Sequence, residues 1–284
     1  MILGRWLRFG LAGGLCGLAL VASGAPPLRF ERAHLLKPGE VPGHELARRL
    51  APLVLQEVRG TNPPSGFTNV FFHFSAIELH GRTHAQVTYW WEYPAPVGAS
   101  RVERRSSPRR GPELRPRPRP VAPAGLSAQG IRLTLNSQGV PAVFEVLGAT
   151  NETIAVFVND SVEAAARAQF GGPLPGRQFA LERAAEEAPR VHVARLLEDP
   201  PAVMGPIVYL HADSRAVATV LCRCMPAEAR ELAGESLYTL VPADFCGNVP
   251  PATRLATAFP RWLPEDFTDP SNRLTRSLRL PESF

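Results

Sequence analysis

The segment Phe72–Tyr93 contains the side chains best suited to binding a metal ion, namely His73, Glu78, His80 and His84. His80 and His84 are four residues apart, a spacing that places two imidazole rings on one face of a helix in zinc enzymes. The stretch HGRTH is not typical of a helix, because its glycine fits a tight turn and its neighbours are aromatic or β-branched. We therefore predict a β-hairpin here, with no metal site.

The hairpin prediction depends on the alternation of apolar residues along both arms. A turn with Gly81 as its first central residue is of type II′ and pairs His80 with Thr83. This register gathers on one face the apolar residues Val70, Phe72, Phe74, Ala76, Val87, Tyr89, Trp91 and Tyr93. It sends the two histidines of HGRTH to opposite faces. It also leaves His73 opposite Trp90 as a candidate ligand-binding face.

Three cysteines follow the N-terminal segment: Cys222, Cys224 and Cys246. The stretch ATVLCRCMP alternates like a strand and places Cys222 and Cys224 on one face, with Cα atoms about 6.6 Å apart and parallel side chains. We therefore expect no bond between these two, and a disulfide of either Cys222 or Cys224 with Cys246. A Cu(I) site that includes Met225 and a redox-active thiol are the alternatives.

Catalytic sequence motifs are absent from the chain, which has no GxSxG, HExxH, GxGxxG or phosphate-binding glycine loop. The sequence therefore predicts neither a cofactor nor a metal. An active site would have to be assembled from scattered polar residues, of which the candidates are His73, Glu92, His192, His211 and Asp213. A secreted enzyme with such a site is the second functional hypothesis.

The first 24 residues have the pattern of a secretory signal peptide. Arg5 and Arg8 precede an apolar run that is short for a membrane span, which needs ~20 residues. Ala22 and Gly24 occupy the −3 and −1 positions of a cleavage site before Ala25. We predict export to the periplasm or the medium. An uncleaved N-terminal membrane anchor is the alternative.

Positive charge is concentrated in one segment. The chain has a net charge of +5, but eight arginines lie between Arg101 and Arg119. Residues 97–124 are rich in proline and arginine and have almost no large apolar side chains, so they are predicted to be disordered. Such an exported segment favours anionic envelope polymers or lipid headgroups. Nucleic acid is not expected, because no aromatic residues are interleaved for base stacking.

The apolar periodicity of the remaining chain predicts an α+β fold. We expect a largely antiparallel sheet built from hairpins, with two or three packed helices. The predicted helices lie within residues 43–58, 159–172 and 226–237, and further hairpins lie within residues 131–147 and 206–224.

The predicted organisation is one α+β domain in two parts, residues 25–96 and 125–246. The first part has one hairpin and one helix, which is marginal for independent folding without disulfides. The basic segment 97–124 is therefore interpreted as an insertion into one domain. Residues 247–284 contain six prolines and are predicted to form an extended C-terminal arm.

These features together predict an exported envelope protein. The first functional hypothesis is a non-catalytic binding or structural role with an unknown envelope partner. Contact with a membrane is expected only if the N-terminal segment is not cleaved.

Overall fold

The computed structural model describes residues 30–60, 67–93, 127–148, 152–188, 191–225, 228–243 and 271–284. The predicted signal peptide, the predicted basic insertion and Cys246 lie outside the described residues. Within the part that is described, no helix has the length and apolar character needed to cross a membrane.

A single sheet of eleven strands dominates the structure and curves until it is nearly closed. The strands are β1 Phe30–Pro38, β2 Leu53–Glu57, β3 Asn69–Leu79, β4 Arg82–Tyr93, β5 Ser127–Leu135, β6 Pro141–Leu147, β7 Thr153–Asn159, β8 Val193–Leu197, β9 Ile207–Leu210, β10 Val217–Leu221 and β11 Ala229–Pro242. Three short helices occur in the described ranges, and they are α1 Glu45–Leu50, α2 Asp160–Phe170 and α3 Ser271–Ser277.

The predicted α+β fold of hairpins and packed helices is therefore wrong. The strand order is β10-β9-β2-β1-β11-β3-β4-β5-β6-β7-β8. The pairs β1–β11, β11–β3, β2–β9 and β7–β8 are parallel, and the other six pairs are antiparallel. The predicted helix within residues 43–58 is only partly present, because α1 ends at Leu50 before Pro52 and the chain continues as β2. The described part of the predicted helix at 226–237 lies mainly in β11.

One buried apolar cluster shows how far the sheet curves. It receives Val220 from β10 and Leu197 from β8, the strands at the two ends of the strand order, together with Tyr89 and Trp91 from the middle. The inner face of the sheet therefore encloses a common core, with α1 contributing Leu50. Burial of these large side chains provides the main favourable free energy of folding.

The predicted hairpin at residues 70–93 is confirmed, but its turn is different. The closing pair is Leu79 with Arg82, and the central residues His80 and Gly81 have φ angles of 50° and 72°. Positive φ at both positions defines a type I′ turn, in place of the predicted type II′ turn. The pairing is shifted by two residues, which leaves the paired strand residues on their predicted faces, because side chains alternate with a period of two. His80 moves from its predicted strand position into the turn.

A second apolar cluster covers the outer face of strands β3, β6 and β7. Helix α2 contributes Val162 and Ala166, and the C-terminal segment contributes Leu278 and Phe284. The chain from Ser271 to Ser277 is helical, and Phe284 is only 4% exposed. This end of the predicted C-terminal arm is therefore packed into the fold.

Candidate functional site

Strand β10 ends at Leu221, and the next residues turn away from the sheet. The amide of Met225 donates to the carbonyl of Cys222 at 3.1 Å, which closes the turn. Cys222 and Cys224 form a disulfide across it, with their Cα atoms 5.2 Å apart. The prediction that these two cysteines do not pair is wrong, because strand spacing does not apply beyond Leu221. The predicted partner Cys246 lies outside the described residues.

The two sulfur atoms of this disulfide have different surroundings. Cys222 is 4% exposed and belongs to the core side of the turn, whereas Cys224 is exposed. The amide N–H of Cys224 donates to Sγ of Cys222 at 3.2 Å. A donor at this distance stabilises negative charge on sulfur. Cys224 therefore carries the accessible sulfur, and the turn stabilises a thiolate at Cys222.

Arg223 lies between the two cysteines and fixes their turn to helix α1. Its guanidinium group donates a hydrogen bond from Nη2 to the carbonyl of Ala51, the residue that follows α1. Burial lowers the pKa of Arg223, while the nearby hydroxyl groups of Tyr238 and Tyr89 act in the opposite direction. No local sequence pattern marks Arg223, because its role depends on the distant Ala51.

Two buried tyrosines hold the same end of α1. The hydroxyl of Tyr89 donates to the carbonyl of Ala47, and the hydroxyl of Tyr238 donates to the carbonyl of Pro52, each at 2.6 Å. Burial raises the pKa of both phenols well above the usual value, so they remain donors. The carbonyl of Ala47 is one of the last four of α1, which have no intrahelical partner. Pro52 lies two residues beyond the helix, so the second bond holds the chain that leaves it.

A small hollow of about 10 Å³, roughly the space of one water molecule, adjoins Cys222 and Arg223. Its wall is mostly apolar and includes Phe144, Met204 and Gly205. A Cβ atom on Gly205 would lie 2.1 Å from the carbonyl oxygen of Leu50, so only glycine fits here. The disulfide, Arg223 and this hollow together form the candidate site.

Both histidines of HGRTH contact the C-terminal segment. His80 lies in the turn, so its predicted strand position on the face opposite to His84 is wrong. Nε2–H of His80 donates to the carbonyl of Leu280 at 2.9 Å. His84 is buried, and its ring stacks on Phe284 with the centroids 4.8 Å apart. No group of three potential metal-binding side chains occurs in the described ranges.

The predicted ligand face at His73 and Trp90 has a different register from the one expected. His73 pairs with Thr88, and Trp90 pairs with Phe71. His73 hydrogen-bonds to the carbonyl of Ala243 through Nδ1 at 3.0 Å, while Trp90 is completely buried. Trp90 is therefore a packing residue and presents no surface to a ligand.

The scattered candidates of the enzyme hypothesis are distributed over several elements. His73 lies on β3, Glu92 on β4, and His192 directly before β8, while His211 and Asp213 lie in the turn between β9 and β10. Among the contacts of the described residues, only His211 and Asp213 belong to one cluster. This cluster also contains Glu57, the last residue of β2, and Arg59 just after it.

That cluster is built around Glu57 and Arg59. Glu57 is 3.8 Å from Nδ1 of His211 and accepts a hydrogen bond from the amide of Ala212 at 3.1 Å. Arg59 forms ion pairs with Glu57 and Asp213. Partial burial acts to raise the pKa of Glu57, but the Ala212 amide, Arg59 and His211 outweigh it and hold that pKa below its usual value. The arrangement fixes the turn between β9 and β10, with each charge already paired.

A buried ion pair crosses the outer face of the sheet. Nη1 of Arg132 on β5 is 3.5 Å from Oε2 of Glu145 on β6, and both side chains are almost fully buried. Nε of Arg132 donates to Oγ1 of Thr88 at 3.3 Å, and Oγ1 of Thr153 donates to Oε1 of Glu145 at 2.8 Å. These polar partners lie on four neighbouring strands and tie their register together.

Comparison of the chain with family models, curated proteins and solved structures found no match in any of the three.

Proposed function

We propose that this protein is an exported, non-catalytic binding protein that takes an extended segment of an envelope partner along the free edge of β11. The observation that carries the proposal is the unequal pairing of this strand. β11 pairs with β1 from Ala229 to Tyr238, but it pairs with β3 only from Thr239 to Pro242. Over residues 229–238, no described strand lies on the side away from β1.

The free part of β11 is accessible to a partner. Residues 230–233 and 235–237 are all exposed. The carbonyl of Tyr238 accepts from the amide of Gly39 on the β1 side, whereas the amide of Thr239 donates to Thr68 on the β3 side, each at 2.8 Å. Because successive residues direct their backbone groups to alternate sides, the N–H and C=O of Leu237 point away from β1. Such an edge is suited to adding a strand.

Two leucines on this strand supply apolar contact for the partner. Leu232 and Leu237 are 52% and 66% exposed. They pair with Ala33 and Lys37 of β1 and so lie on the same face of the sheet. Large exposed apolar side chains beside a free edge give a bound strand the alternating contacts that set its specificity. The expected ligand is an extended segment with apolar residues on one face.

The charged residues of β11 have partners on the β1 side. Glu235 pairs with Lys37 at 2.6 Å, and Arg230 pairs with Glu31 at 3.2 Å. Because these charges are already paired, we expect β11 to recognise its partner through backbone hydrogen bonds and apolar contacts. Anion binding through Arg101 to Arg119, which lie outside the described residues, is proposed as a second contact with envelope polymer or lipid headgroups.

The cysteine pair supports the proposed location. Disulfides persist in oxidising compartments and are rare in the cytoplasm. Cys222 and Cys224 are at disulfide distance in the folded chain. Export, either to the periplasm or to the medium, is consistent with this pairing and with the signal pattern of the first 24 residues.

The experiment selects peptides of about twelve residues from a random library on the purified protein and maps their contact by hydrogen exchange. We expect selected peptides to protect the amides of Glu235 and Leu237. Leu237→Pro should abolish binding, since proline removes an N–H on the free side of the strand. Leu237→Ala is the matched control, and it should weaken binding by about tenfold at most, since it loses one exposed side chain and no backbone bond.

The proposal fails if the selected peptides leave β11 unprotected or bind equally well to Leu237→Pro. Protection of β11 in the protein alone, increasing with its concentration, would show instead that a second copy occupies the edge.

A further inference from the structure

We propose that the Cys222–Cys224 disulfide is a thiol–disulfide exchange site that accepts electrons from thiols. The proposal does not depend on strand addition at β11. It rests on the position of the pair in a turn, on the different exposure of its two sulfur atoms and on the groups that surround them.

Access determines which sulfur reacts. Cys224 is exposed, whereas Cys222 is 4% exposed. A thiolate must approach the sulfur that it attacks, so exchange begins at the exposed cysteine. A pair that served only to strengthen the core has no need of one sulfur at the surface. Loop closure also contributes little here, because only Arg223 lies between the two cysteines.

The thiolate that leaves in the first exchange step is also stabilised. When Cys222 departs as a thiolate, the amide of Cys224 already donates to its sulfur at 3.2 Å. Exchange is faster when the leaving thiolate is stabilised. Arg223 stays bound to the carbonyl of Ala51, so the turn that presents Cys224 is fixed to the end of α1.

The reaction has two balanced steps. In the first, an external thiolate attacks Sγ of Cys224, the Cys222–Cys224 bond breaks, and the electron pair leaves on Cys222. The product is a mixed disulfide between Cys224 and the external thiol. In the second step, another thiolate attacks the external sulfur of that mixed disulfide and releases Cys224 as a thiolate. Two external thiols are oxidised to one disulfide, and their two protons pass to Cys222 and Cys224.

The test uses the full chain with Cys16 and Cys246 replaced by serine, so that only the pair reacts. Cys222→Ser and Cys224→Ser are then introduced singly, and each protein is treated with oxidised glutathione below its unfolding temperature. We expect Cys224 to form its mixed disulfide at least about tenfold faster than Cys222, since access limits the rate. Mass spectrometry after acid quenching gives both rates.

A second measurement keeps the test valid if a single-cysteine variant fails to fold. The protein with the intact pair is mixed with reduced glutathione. Thiol content and near-ultraviolet circular dichroism are followed together. We expect reversible reduction with unchanged tertiary structure.

Equal reaction of the two cysteines, or reduction that occurs only as the protein unfolds, would overturn the proposal.

Discussion

The imidazole ring of His84 lies stacked on the phenyl ring of Phe284, with ring centroids 4.8 Å apart and planes inclined by 28°. Both side chains are nearly inaccessible, at 3% and 4% exposure. Nδ1–H of His84 donates to the carbonyl of Leu135 at 3.1 Å. A histidine whose spacing suggested a metal ligand thus joins the β3–β4 hairpin to the C-terminal segment.

Removal of the Phe284 ring should destabilise the protein. Phe284→Ala leaves His84 without its stacking partner and opens a space in the outer core, so the free energy of unfolding should fall by about 3 kcal/mol. Urea denaturation measures this change. Ser283→Ala is the control, because Ser283 is exposed and its replacement should alter stability by about 0.5 kcal/mol at most. A neutral Phe284→Ala variant would show that the C-terminal segment does not pack on the hairpin.

The buried ion pair should respond differently to single and double replacement. Glu145→Ala leaves the Arg132 guanidinium buried without its counter-ion and should cost about 3–5 kcal/mol. Replacing both partners, Arg132→Met with Glu145→Leu, removes the buried charges together and should recover most of that loss. Thermal unfolding of the two variants beside the native protein is the measurement. Equal destabilisation by both would mean that the pair contributes shape and not charge.

The hairpin turn should require glycine at position 81. Gly81→Ala introduces a Cβ atom at a φ of 72° and should lower the free energy of unfolding by about 1 kcal/mol or more. Gly172→Ala is the matched control, because a Cβ atom there meets no atom within 4 Å and its φ is not positive. Chemical denaturation of both variants gives the comparison, and equal effects would contradict the type I′ turn.

Reduction of the cysteine pair should have only a small effect on stability. The loop between Cys222 and Cys224 is so short that its closure restricts the unfolded chain by about 1.5 kcal/mol. A reducing agent should therefore lower the unfolding temperature by only a few degrees. Differential scanning calorimetry with and without the reducing agent gives the value. A collapse of the transition would indicate that the disulfide is primarily structural.

The contribution of Asp160 to the free energy of unfolding should fall as the pH rises. Its partial burial, with the nearby charges of Asp199 and Glu198, raises the pKa of its carboxyl group above the usual value. The folded state then binds the proton more tightly than the unfolded state does, so the contribution is favourable below the unfolded pKa and is lost as the pH rises through the folded pKa.

The corresponding variant is Asp160→Asn, which cannot ionise. It should unfold at the same denaturant concentration as the native protein near pH 3, and at a higher one at pH 7. A pH-independent difference between the two proteins would contradict the raised pKa.

Local sequence was enough to predict the elements whose residue patterns lie within a few positions of one another. The alternation between Val70 and Trp91 was enough to assign the paired strand residues to their faces, and a two-residue error in register did not alter that assignment. Helix α2 was predicted from a capping residue at Asp160 or Ser161 and from Gly171 just past its end. The structure confirms the helix and its end, with a φ of 82° at Gly171, but the N-cap is Asn159.

Tertiary structure decided the strand pairings and side-chain contacts that join residues far apart in the sequence. The stretch ARELAGES has good intrinsic helix propensity, yet it forms part of β11, because β1 offers it a partner strand from Phe30 to Pro38. Propensities of tenths of a kcal/mol per residue are easily outweighed by a full ladder of hydrogen bonds. The cysteine pairing likewise depended on where β10 stops, and Arg223 reaches Ala51 across 172 positions of the chain. Contacts at that separation leave no periodic trace in the sequence, so only the folded chain shows that Arg223 binds Ala51.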